Sequence, residues 1–116
     1  AGNNDKDLID QFLSSELSDN CISFTDLKIS ETLPIIKNCS LYIGNDTGWL
    51  HISSALGVQC LALFMDSPVQ AYGKYSKNIS VIIPEGKTEE TTTHNTLGAD
   101  RISFEKVFKK SIELLN

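Results

Sequence analysis

The chain has 116 residues, 41% of them hydrophobic and 22% charged, a composition that excludes intrinsic disorder and collagen-like or low-complexity architectures. Ten basic against fifteen acidic side chains leave a formal charge of -5; with the lysines scattered, a general nucleic-acid surface is electrostatically unfavourable, while a local anion site is not. The longest apolar run, Cys60 to Met65, falls far short of the ~20 residues that cross a bilayer, and no basic-then-apolar leader pattern opens the chain, so the expected compartment is the cytoplasm. Cys21, Cys39 and Cys60 are widely spaced and sit in or beside apolar segments, which predicts buried reduced thiols and neither a bridge nor a metal site.

Taken in order, Asp5 to Leu17 carries Leu8, Ile9, Phe12, Leu13 and Leu17 at helical spacing, with Asn3 and Asn4 as cap chemistry. Cys21 to Phe24 is short and β-prone between polar turn residues, and predicts a strand. A second helix is expected from Ser30-Glu31 to about Asn38, with Leu33, Ile35, Ile36 and Cys39 inward and Pro34 tolerated in the first turn. Leu41 to Ile43 predicts a strand and Gly44 to Gly48 a turn and cap; Leu50 to Leu56 then resumes helical spacing, closed by Gly57. Cys60 to Met65 and Ile79 to Ile83 are apolar without alternation, as strands buried on both faces are. A polar loop over 66–78 separates them, and the threonine-rich stretch from Pro84 to Ala99 is the least structured part. Ser103 should cap a last amphipathic helix.

Strands alternating with helices predict an α/β fold, a Rossmann-like, doubly wound parallel sheet with ligands at the carboxyl ends of the strands. Such a sheet places a strand ahead of its first helix, where this sequence has Ala1-Gly2-Asn3-Asn4. The expectation is therefore one domain over residues 1–116 that lacks its first strand.

The densest chemistry lies in Gly44-Asn45-Asp46-Thr47-Gly48-Trp49-Leu50-His51, between a strand and a helix. Unpaired N–H groups and the positive end of the dipole at a helix start suit a diphosphate. Gly48 lets a phosphate approach, Thr47 adds a hydroxyl, Asp46 can accept from sugar hydroxyls, and His51 lies one turn on, where an imidazole could donate to a phosphate oxygen. The plainer reading makes Asp46 an N-cap and His51 a helix-surface residue. In Tyr72-Gly73-Lys74-Tyr75, Lys74 could contact phosphate or sugar between aromatic walls, or the segment could be an ordinary exposed loop. No paired carboxylates support glycosidase chemistry.

The longer stretch Leu41 to Gly73 resembles the C-terminal half of the family 9 glycosyltransferases, the ADP-heptose:lipopolysaccharide heptosyltransferases. The family pattern is an apolar strand, then D-[ST]-G-x-x-H-x-[AS]-[AS]-A-L-G-x-P, then a second apolar strand; Asp46, Thr47, Gly48, His51, Ser53, Ser54, Ala55, Leu56 and Gly57 occupy those places. The resemblance implies the C-terminal half of a GT-B enzyme that transfers heptose from ADP-heptose, with inversion and without a metal or other cofactor, to the lipopolysaccharide core. It makes Thr47 and Gly48 diphosphate contacts, Asp46 a sugar contact and His51 an aid to the site, with Asp5 near the ribose and Leu27 near the adenine. It further implies an N-terminal domain that carries the general base and the acceptor site, without which this chain should be inactive. The full-length protein would work at the inner face of the inner membrane, associated peripherally. Two departures stand out: Gln59 replaces the proline, and Met65-Asp66-Ser67-Pro68 replaces a Gly-Pro loop. Two other functions compete, a non-catalytic nucleotide or sugar-phosphate binding module and a dimeric aspartic protease using the Asp46-Thr47-Gly48 triplet, whose relatives hold that triplet in an all-β fold.

Overall fold

The computed structural model describes residues 5–16 and 18–116. The chain forms two compact units, Ala1–Pro34 and Ile35–Asn116. Helices α1 (Lys6–Leu13) and α2 (Ile29–Lys37) come first, followed by β1 (Tyr42–Asn45), α3 (Gly48–Ala55), β2 (Cys60–Leu63), α4 (Val69–Tyr72), β3 (Ile79–Ile82) and α5 (Phe104–Leu115). The three strands form a parallel sheet in the order β1-β2-β3, with Tyr42 opposite Cys60 and Cys60 opposite Ile79. The fold is α/β with a parallel sheet flanked by helices, the class expected from the alternation. No helix among the described residues is long and apolar enough to cross a membrane.

In the first unit the sequence reading holds only in part. Helix α1 stops at Leu13, where Ser14 turns its hydroxyl back onto the Asp10 carbonyl, and it has no buried residue. Leu17 and the proposed caps Asn3 and Asn4 lie outside the described residues. Cys21 to Phe24 is not a strand. Its turn-forming flanks close locally, with the Cys21 amide bonding Ser18 and the Leu27 amide bonding Phe24, so the segment finds no ladder despite its β propensity. Helix α2 starts earlier than expected because Glu31 reaches back to the Lys28 amide at 2.8 Å, half of a capping box. That places Pro34 beyond the first turn, contrary to expectation.

The second unit is organised around β2. Cys60, Leu61, Ala62 and Phe64 are wholly buried, and Leu50 and Val69 pack with Cys60, Ala62 and Phe64 in one cluster. A strand covered on both faces has no need of polar alternation, which is why the run from Cys60 reads as continuous apolar sequence. Helix α3 crosses from β1 to β2 and ends where Gly57 takes a left-handed backbone, φ 83°, a conformation that glycine adopts at no steric cost. Ser103 accepts from the Lys106 amide at 3.3 Å and starts α5 as the sequence predicts.

The 66–78 segment is more ordered than its polar composition suggests, since Pro68 leads into α4 and Val69 inserts into the core. The threonine-rich stretch lacks long regular elements but is tightly bonded. Thr92 is buried, its hydroxyl donates to the Thr88 carbonyl, and its own carbonyl accepts from the Val69 amide.

The three thiols are free, but only Cys60 is buried; Cys21 is partly covered and Cys39 is exposed. Cys39 lies past the end of α2, where helical spacing no longer points it inward. Burial pushes the Cys60 thiol up to about 11, which disfavours the thiolate that reacts with alkylating agents. At pH 8, iodoacetamide is therefore expected to label Cys39 fastest and Cys60 only after unfolding, as read by peptide mass spectrometry. Phe64→Ala should lower the urea-unfolding free energy by about 3–5 kcal/mol, because it empties the centre of the cluster.

Candidate functional site

Strand β1 delivers Asp46 to the carboxyl edge of the sheet, and α3 begins two residues later. Thr47, not Asp46, is the N-cap, with extended backbone at φ -141° and ψ 170°, and its side chain makes no capping bond. Burial raises the Tyr42 phenol above its ordinary value, and the nearby Thr47 side chain partly offsets this. No side chain caps α3, and although the Leu50 amide already donates to the Thr47 carbonyl, the Gly48 and Trp49 N–H groups remain available to an outside acceptor. Nothing lies within 4 Å of where a Cβ on Gly48 would stand, so the helix start is open to approach.

Asp46 is mostly covered, at 11% side-chain exposure, and its Oδ1 is 3.0 Å from His51 Nε2. An ionised carboxylate only accepts, so Nε2 carries the proton and donates. On the other side of the ring, Nδ1 is 2.6 Å from the Tyr75 hydroxyl. The rings of Tyr75 and Tyr72 lie against the imidazole, with centroids 5.6 and 6.4 Å away. Among the described residues nothing else bonds Asp46, and no buried side-chain oxygen is left unsatisfied, so Oδ2 is not sealed from solvent.

The structure thus brings together Asp46, Thr47, Gly48 and His51, and adds Tyr75, Tyr72 and Tyr42. The reading of Asp46 as a cap and His51 as an unengaged surface residue does not hold, because the two side chains bond each other. In the neutral ring both His51 nitrogens are occupied, which leaves no N–H for a phosphate oxygen. Lys74 is turned to Glu89 at 2.7 Å, an ion pair that fastens the 66–78 segment to the threonine-rich stretch. Asp5 and Leu27 belong to the first unit, where Asp5 precedes α1 and Leu27 is partly exposed in a turn.

Tyr75 is visible in the sequence as an aromatic beside Lys74, but its partner lies 24 residues away, and helical or strand periodicity carries no information about such a contact. Gly44 was legible as a turn glycine; it is in fact a strand residue. A Cβ there would collide with the Tyr42 hydroxyl and ring, so glycine makes room for that ring. Two clefts of about 370 and 310 Å³ lie along α5 and share no residue with this group; Arg101 and Ser103 line one, Lys109 and Lys110 the other. No cluster of three or more His, Cys, Asp or Glu side chains at metal-binding distance occurs among the described residues.

The model of glycosyltransferase family 9 (heptosyltransferase) matches residues 9–99. The chain belongs to this family. No curated protein and no solved structure matches it. Family membership makes this a glycosyltransferase sequence, acting on a nucleotide-sugar donor and an acceptor. The protease reading required an all-β setting, whereas the Asp46-Thr47-Gly48 triplet ends a parallel strand and opens a helix.

Gly44→Ala is expected to displace the Tyr42 ring, lowering stability by about 1–3 kcal/mol. Thermal unfolding followed by circular dichroism measures the loss.

Proposed function

We propose that this chain is the donor-binding part of a GT-B glycosyltransferase that transfers heptose, or a closely related sugar, from ADP-heptose with inversion to a lipopolysaccharide core acceptor. The observation that carries the reading is the uncapped start of α3 beside a carboxylate with one open oxygen. The donor diphosphate takes the N–H groups at Gly48 and after it, where the helix dipole favours anions. The donor sugar supplies hydroxyl donors to Asp46. The Thr47 hydroxyl borders the phosphates.

For the nucleoside, the family resemblance offers Asp5 for the ribose and Leu27 for the adenine. Lys74 could reach the donor only by leaving Glu89. On this reading the general base and the acceptor site come from an N-terminal domain, and the complete enzyme works in the cytoplasm at the inner membrane surface. A binding module without catalysis would share the same donor contacts.

Titration of the 15N-labelled chain with ADP, ADP-heptose, UDP and GDP tests the reading. The adenosine ligands should shift the amides of residues 47–51 most, and ADP-heptose should move them further than ADP. Unmoved amides with all four ligands would remove both the transferase and the binding-module readings. The chain by itself is expected to show no ADP-heptose turnover in a coupled ADP-release assay; turnover restored by adding an N-terminal family 9 domain would separate transferase from binding module.

A further inference from the structure

The bonding around His51 assigns a direction to every proton in the group. With Asp46 ionised it can only accept, so Nε2 holds a hydrogen, and when the ring is neutral Nδ1 is bare. A bare nitrogen 2.6 Å from a phenol oxygen requires that the Tyr75 O–H points at it. The chain of donors runs from Tyr75 through His51 to Asp46, and what remains at both ends is acceptor capacity: lone pairs on the Tyr75 hydroxyl oxygen and the open Oδ2 of Asp46.

We infer that Tyr75 is a specificity-determining residue that reads hydroxyl groups of the donor sugar, held by His51 as a hydrogen-bond acceptor paired with Asp46. The inference rests on the donor-binding reading above and extends it. Two acceptors on opposite sides of one imidazole complement a polyol, which brings O–H donors. They repel an ionised phosphate, whose oxygens also only accept. The group therefore divides the donor, with phosphates to the N–H groups of α3 and the sugar to Asp46 and Tyr75. The exposed ring of Tyr75, 58% accessible, and that of Tyr72, 43% accessible, add apolar faces on which the carbon side of a sugar ring can lie. The loop that carries Tyr75 is held from behind: Gly73 packs against Val81 and Phe64, and Lys74 is tied to Glu89. His51 is a positioning residue here, since it sets the state of both acceptors without touching the ligand.

The experiment compares the 116-residue chain with its Tyr75→Phe variant, each titrated calorimetrically with ADP and with ADP-heptose. The exposed position makes phenylalanine structurally tolerable. The variant should keep its ADP affinity within about twofold and lose roughly fivefold to tenfold for ADP-heptose, the scale of one hydrogen bond. An unchanged ratio of the two affinities, or an equal loss of both ligands, overturns the assignment while leaving donor binding intact. Failure of the unmodified chain to bind either ligand defeats the donor-binding reading itself, and the assignment with it. The 15N resonances of the His51 ring in the unligated chain at pH 8 give a second reading: the Nε2–H tautomer is expected, and the Nδ1–H tautomer would overturn the assigned direction.

Discussion

The imidazole of His51 is held from two sides, and much of the site's geometry follows from that. Its Nε2 bonds a carboxylate at the end of β1, and its Nδ1 bonds a phenol carried by the segment between β2 and β3. A ring so constrained cannot rotate without breaking a short bond, which fixes both its tautomer and the position of its partners. Two stretches distant in sequence, the junction holding Asp46 and His51 and the segment carrying Tyr75, are joined at one point on the edge of a parallel sheet. Ligands of open α/β sheets gather at that edge because strand ends and helix starts meet there.

The loops around this point owe their order to bonds that span long sequence separations. Lys74 pairs with Glu89, the Val69 amide donates to the Thr92 carbonyl, and the Leu97 amide donates to the Asp66 carboxylate. The last bond gives a purpose to one departure from the family pattern. Asp66 stands where a Gly-Pro loop is usual, and its side chain staples the threonine-rich stretch to the carboxyl end of β2. The adjoining Met65 carbonyl accepts from the Gly98 amide, and a Cβ at Gly98 would strike the Pro84 ring. In this chain, then, the loop after β2 is shaped by packing and side-chain bonding.

Family membership and local geometry act at different levels. Membership in family 9 establishes glycosyl transfer in general, while the residues around Asp46 bear on which part of the donor is held and how. An acceptor-rich edge beside a donor-rich helix start is a polarity pattern, and on the proposed reading it would discriminate between the sugar and phosphate ends of one ligand more sharply than net charge could. The charge of -5 excludes little about such a site, because a helix terminus presents its partial positive charge locally.

What the sequence by itself determined was the second unit. The apolar run from Cys60 read as a doubly covered strand, the Gly-Asn-Asp-Thr-Gly cluster as a turn and cap between strand and helix, and Ser103 as the cap of the last helix. Each of these signals is local, a matter of burial period or backbone chemistry within a few residues. The same local reasoning failed at Cys21 to Phe24, where β propensity met no neighbouring strand to pair with, and at Cys39, beyond the end of its helix. The tertiary structure alone decided that Tyr75 meets His51 and that Lys74 turns to Glu89. These contacts depend on how far the chain travels between elements before it returns, and side chains brought together by chain reversal leave no periodic trace in the residues that carry them.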